Sequence, residues 1–228
     1  MISNVPRNII QSVYAISADK KYSGSCFAYP TNSFLYLITA AHIIKSMKQE
    51  TEGELYLFKD NQWQTVAVIP YIVSEPAGID LAVLKTCIPA DSRQPNIELA
   101  LGNAIIGQDV FFLGFPSFTN QIKHQAETIN NGCPIPFIKK AILSAIQNPF
   151  IYLDGHNNPG FSGGPVIFWN SQSNKHQVLG IISGYLNQEG NIKNNADLFY
   201  HENSGIAVAY NIKHASDLIQ RISNETKI

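Results

Sequence analysis

Charge is scarce in this chain of 228 residues: Asp, Glu, Lys and Arg together make up only 14% of it, against roughly 25% in an average globular protein. The formal net charge is -1 and no block of Lys or Arg occurs, which argues against a nucleic acid or an anionic membrane surface as partner. No run approaches the ~18 consecutive apolar residues of a membrane span, and neither an internal repeat nor a low-complexity segment is present. Cysteine is also sparse and odd in number. Cys26, Cys87 and Cys133 are widely spaced and form no CxxC pattern, so no cysteine metal site is expected. The first ten residues are too interrupted by polar side chains for the apolar core of a signal peptide.

Apolar residues are plentiful instead, at 45%. The length suffices for one sizeable domain, or two small halves sharing a core. Short β-rich runs separated by turn residues are read as strands at Val13–Ile16, Gly24–Ala28, Phe34–Thr39, Glu54–Phe58, Gln64–Ile69 and Leu81–Lys85. A second series covers Asp109–Phe115, Lys139–Leu143, Ile151–Leu153, Gly164–Trp169, His176–Tyr185 and Gly205–Ala209. Between the two lies a mixed stretch, Ile88–Asn103, read as a connection. Many short strands at regular spacing predict an all-β barrel or sandwich architecture. Ile212, Ala215, Leu218, Ile219 and Ile222 recur at helical spacing, which predicts an amphipathic C-terminal helix. A turn of helix is expected at the start of Pro6–Ser17.

Three segments carry candidate chemistry. The first is Asn158-Pro159-Gly160-Phe161-Ser162-Gly163-Gly164-Pro165-Val166, a serine set among glycines. Gly160 can turn the chain and present N–H groups inward, and Gly163 with Gly164 would keep the space around the Ser162 hydroxyl clear for a substrate. The plainer reading is a glycine-rich turn between strands. The second is His42, which follows the apolar run from Phe34 and the small residues Thr39-Ala40-Ala41. It is either a base or a structural histidine at a strand end. The third is Asp80, entering the run Leu81-Ala82-Val83-Leu84. A carboxylate beside a buried strand needs a partner, although an aspartate closing a turn is the alternative.

Together these segments resemble the trypsin/chymotrypsin-like serine peptidases. Thr39-Ala40-Ala41-His42 matches the family's histidine box, Asp80-Leu81-Ala82-Val83-Leu84 its aspartate box, and Gly160-Phe161-Ser162-Gly163-Gly164-Pro165 its serine box. They stand in the order His, Asp, Ser, whereas other folds with this set of residues use other orders. Within the family the pattern is similar to HtrA/Deg-type protease domains. Gly24-Ser25-Cys26-Phe27 resembles the GSGF strand, Gly107 to Pro116 the "G-x-x-V-x-x-x-G-x-P" strand, Asn158-Pro159-Gly160 the NPG approach, and Ser204-Gly205-Ile206-Ala207-Val208-Ala209 the closing strand.

The resemblance implies two six-stranded antiparallel β-barrels across residues 1–228, one at about 8–95 and one at about 104–210, followed by a helix at 211–225. It implies a serine endopeptidase acting on a polypeptide substrate through an acyl-enzyme, with no metal or organic cofactor. His42 would be general base, Asp80 would orient it, Ser162 would attack, and the N–H groups of Gly160 and Ser162 would hold the oxyanion. The walls of the pocket for the residue before the cut would be Asp154–His156 and Ser183-Gly184-Tyr185, with no preference readable from His156. The alternative is a catalytically quiet peptide-binding or regulatory module on the same fold; an esterase is disfavoured by the order of the three boxes.

Two departures carry expectations. Secreted members usually tie the histidine loop with a disulfide, but Ile43 stands where that cysteine would be; a reducing, cytoplasmic compartment is therefore expected. Many secreted members also place an aspartate just before the serine, where a freed N-terminus pairs with it to switch the enzyme on. Here that residue is Phe161, so the order of the Gly160–Ser162 loop, or a regulatory protein partner, is expected to control activity in place of cleavage. The chain ends soon after its final helix, so a PDZ domain is not expected on it.

Overall fold

The computed structural model describes residues 4–20, 23–73, 78–89, 97–100, 102–116, 127–192 and 195–225; side chains are described for these except within 191–199. A short helix, α1 (Arg7–Ile10), leads into β1 (Val13–Ser17), β2 (Ser23–Pro30) and β3 (Phe34–Thr39). After a 3₁₀ turn at Ala41–Ile44 come β4 (Gly53–Lys59), β5 (Gln62–Ile72) and β6 (Ala82–Pro89). These six close into an antiparallel barrel in the order β1-β2-β3-β6-β5-β4.

A two-residue strand, β7 (Glu98–Leu99), precedes the second set: β8 (Asp109–Gly114), β9 (Phe137–Gln147), β10 (Phe150–Asp154), β11 (Pro165–Asn170), β12 (Lys175–Ile192) and β13 (Asn195–Asn211). Their order is β11-β8-β9-β10-β13-β12, and a further β11–β12 pairing closes the ring. β7 lies parallel to β12 at Gln177 and Val178. The helix α2 (Lys213–Glu225) follows. The all-β, two-barrel architecture with a C-terminal helix is the one expected.

β3 shows why an unbroken apolar run is a strand here. Successive side chains of a strand point to opposite faces. Leu35 and Leu37 therefore enter the first barrel beside Ile16, Leu55, Val68 and Leu84. Tyr36 and Ile38 point the other way, into a second core with Leu113, Ile167 and Ile181 of the second barrel. The same core takes Ala215, Leu218, Ile219 and Ile222, the buried stripe of α2. Both faces of β3 are buried because the barrels pack against each other across it.

Most strands run longer than their apolar signal. β12 continues through polar Asn187–Asn191 because it pairs with β13 from Gly180 to Ile192, and cross-strand pairing does not require an apolar face. The stretch Ile88–Asn103 includes the end of β6 and all of β7, which has too few residues to show a period. Positions 90–96 and 101 of that stretch lie outside the described residues.

Candidate active site

His42 and Asp80 are brought together by neighbouring strands. β3 pairs with β6, with Thr39 opposite Ala82; His42 lies just beyond one partner and Asp80 just before the other. The backbone N–H of His42 donates to Asp80 Oδ1 at 2.8 Å, and His42 Nδ1 lies 2.7 Å from Asp80 Oδ2. A carboxylate can only accept, so Nδ1 carries the proton and Nε2 is left as the acceptor in the neutral ring. Ser183 Oγ also donates to Asp80 Oδ2, at 2.5 Å. Burial pushes the Asp80 pKa up, but the hydrogen bonds from His42 and Ser183 outweigh it, and the carboxyl is held below its ordinary value. The turn before Asp80 is fixed by Tyr210, whose hydroxyl donates to the Gly78 carbonyl at 3.0 Å.

Ser183 reaches Asp80 because of a bulge. Ile182 of β12 faces Ala209 and Gly184 faces Val208, leaving Ser183 as the extra residue. Bulges re-aim side chains in this way. The Ser183 carbonyl accepts the Ser162 hydroxyl at 2.9 Å, so one residue touches both candidate acid and candidate nucleophile. Its two contacts were not apparent from the sequence, which placed Ser183 only in a pocket wall.

The serine loop is held from the first barrel by Ser25. Its N–H donates to the Ser162 carbonyl at 2.8 Å, its Oγ donates to the Gly160 carbonyl at 2.8 Å, and the same oxygen accepts the Phe115 N–H at 3.0 Å. Gly160 sits at φ 99, the left-handed side where glycine is favoured. The N–H groups of Gly160 and Ser162 donate to no acceptor among the described residues. Gly163 and Gly164 serve a different end from the one expected. A Cβ on Gly163 would lie 2.1 Å from the Ser25 carbonyl oxygen and 2.2 Å from Thr39 Oγ1, and one on Gly164 would lie 1.9 Å from the Leu113 carbonyl oxygen. These glycines let the loop press against both barrels instead of clearing space for a substrate.

A cleft of about 320 Å³ opens at this junction, with His42, Ile43, Lys45, Pro159, Gly160 and Ser162 among its lining. His42 and Ser162 thus share one cleft, but no hydrogen bond joins them; the Ser162 hydroxyl is turned to Ser183. The pocket-wall residues are distributed unevenly. Ser183 contacts the site directly, while the Gly184 carbonyl accepts Asn157 Nδ2 at 2.9 Å and Tyr185 pairs with Ala207 in β13. Asp154 ends β10 opposite Ile142 and Ile206, exposed. The His156 side chain is exposed, and neither it nor Asp154 lines the cleft.

Comparison with known proteins agrees with this architecture. Residues 24–181 match the model of the trypsin-like peptidase domain. The crystal structure of the Rv3671c protease of M. tuberculosis in an inactive form superposes with a TM-score of 0.59 at 17% identity, covering 94% of this chain and 90% of that one. The serine endoprotease of Yersinia pestis gives 0.57 at 20% identity, over 96% of this chain and 67% of that one. The HtrA-type protease AlgW, a serine-to-alanine form with a tripeptide, gives 0.59 at 19% identity, over 93% and 60%. Among curated proteins no sequence match is found. The family match spans more than half the chain, its three boxes meet at the junction of two barrels, and the chain belongs to the trypsin-like peptidase domain family.

Proposed function

We propose that this protein is a serine endopeptidase that cleaves peptide bonds through an acyl-enzyme on Ser162. The observation that carries the reading is the Asp80 carboxylate, which binds His42 through both the backbone N–H and Nδ1 and leaves Nε2 as the free acceptor of a ring that lines the same cleft as Ser162. A serine hydroxyl is a weak nucleophile and needs an adjacent base. His42 takes its proton during attack and returns it to the leaving amine. Asp80 fixes the tautomer and stabilises the imidazolium. The unengaged N–H groups of Gly160 and Ser162 receive the oxyanion; one such donor is worth about 10²–10³ in rate.

In the proposed reaction the Ser162 hydroxyl leaves the Ser183 carbonyl and turns to His42, which lines the same cleft. Past Ile182, which pairs with Gly163 and Gly164, β12 continues at Ser183–Tyr185, where a substrate would add as a further strand. The resemblance assigns the pocket for the residue before the cut to Asp154, His156, Ser183, Gly184 and Tyr185; Ser183 contacts Ser162, while Asp154 and His156 lie outside the cleft that His42 and Ser162 line.

The hydrogen bond from Ser162 to Ser183 favours a second reading, a catalytically quiet module that binds peptides without cutting them. Incubation with a mixture of denatured proteins separates the two. The native protein is expected to release peptides, while Ser162→Ala and His42→Ala release none. Release undiminished in Ser162→Ala would place the chemistry elsewhere.

A further inference from the structure

Lys139 lies on β9 opposite Phe112, outside every motif of the family. Its ammonium group nevertheless makes all its described contacts on the loop that leads to Ser162. It donates to the His156 carbonyl at 2.7 Å and to Asn158 Oδ1. It also stands 5.2 Å from the centroid of the Phe161 ring, over an aromatic face of the kind that attracts cations. Burial lowers the Lys139 pKa. The Phe161 ring is fully buried and meets Phe112 edge to face, with centroids 5.3 Å apart. The Phe161 N–H returns to the Asn158 carbonyl at 3.3 Å. One cation therefore ties residues 156, 158 and 161, and residues 160 and 162 carry the N–H groups assigned to the oxyanion.

We propose that Lys139 is a positioning residue: its ammonium, clamped between two oxygen acceptors and the Phe161 ring, holds the Gly160–Ser162 turn in the shape that presents both N–H groups to the cleft. The role rests on the peptidase reading above. It supplies, from within the folded chain, a cation beside the residue that precedes the serine. Because the cation is part of β9, the turn is ordered without cleavage of the chain. Lys139 does not touch a substrate; it acts through the loop. The aliphatic stem covers apolar surface while the head binds, so Lys139→Met retains the stem and removes only the charge. Displacing catalytic groups by about 1 Å costs on the order of 10² in rate, and a loop freed of the clamp is expected to lose about that much.

The test measures peptide hydrolysis, thermal midpoint and backbone hydrogen exchange of residues 157–164 in the native protein, Lys139→Met and Lys139→Arg. The expected result is a kcat about 10²-fold lower in Lys139→Met, with KM little changed, an unaltered midpoint and faster exchange confined to that loop. Lys139→Arg, which restores a cation with several donors, is expected to recover most of the kcat and the protection. Native exchange in Lys139→Met would overturn the proposal whatever the activity, and so would native kcat despite faster exchange. If the native protein hydrolyses nothing, the peptidase reading fails by itself, and loop exchange alone decides whether Lys139 orders the turn. Should Lys139→Met fold poorly, Lys139→Gln carries the same comparison.

Discussion

Asp80 is the residue on which the site turns, because its carboxylate collects three donors: the His42 N–H, His42 Nδ1 and Ser183 Oγ. Asp80→Asn keeps the shape but presents the wrong partner to Nδ1 and favours the wrong tautomer. Activity is expected to fall by about 10⁴, checked as kcat. The pH dependence follows from the sign of the shift. The folded pKa lies below the ordinary carboxylate value, about 3.9 in an unfolded chain, so Asp80 stabilises the fold fully above that pH. The contribution is lost as pH falls through the lower folded value. Thermal midpoints measured from about pH 5 down to pH 2 are expected to fall less steeply in Asp80→Asn than in the native protein. Ser183→Ala removes one stabilising donor; the pKa of Asp80 should rise and activity should drop about tenfold, the equivalent of roughly 1.4 kcal/mol. His42, Asp80 and Ser162 were legible because each sits in a short local pattern. The double role of Ser183 was not, since it depends on a bulge set by the pairing of β12 with β13.

Among elements, the serine loop depends on close approach of backbones. Gly163 holds φ 85, and its missing Cβ is replaced by the Ser25 carbonyl oxygen and Thr39 Oγ1. Gly163→Ala combines backbone strain of about 1–2 kcal/mol with overpacking of about 1–3 kcal/mol. A loss of about 2–5 kcal/mol in denaturant unfolding is therefore expected, and a loss below 1 kcal/mol would show that the loop yields easily. The glycines themselves stand out in the sequence, but their neighbours come from β2, β3 and β8, all distant in the sequence. That distance is why the reading of Gly163 and Gly164 as substrate clearance failed. The strands of the first barrel were legible from apolar runs because both faces of β3 are buried. The outer part of the β12–β13 ribbon was not, because polar residues there are held by pairing alone.

For the molecule as a whole, the interface between barrels and the site are one structure. Ser25 of the first barrel holds Gly160, Ser162 and Phe115 of the second, and β3, β8, β11, β12 and α2 contribute to a shared core. Ser25→Ala removes the hydroxyl that binds the Gly160 carbonyl and the Phe115 N–H. An unsatisfied buried group costs about 1–3 kcal/mol, so stability and activity should fall together, measured by calorimetry and peptide hydrolysis on the same sample. Native activity with a lowered midpoint would separate the interface from the site. The role proposed for Ser162 is that of a nucleophile activated by the His42–Asp80 pair. Its most direct test is the intact mass of the protein after reaction with a fluorophosphonate, followed by peptide mapping. A single adduct on Ser162 is expected in the native protein and none in Ser162→Ala or His42→Ala; a native protein that stays unmodified, or equal labelling of His42→Ala, would overturn that role.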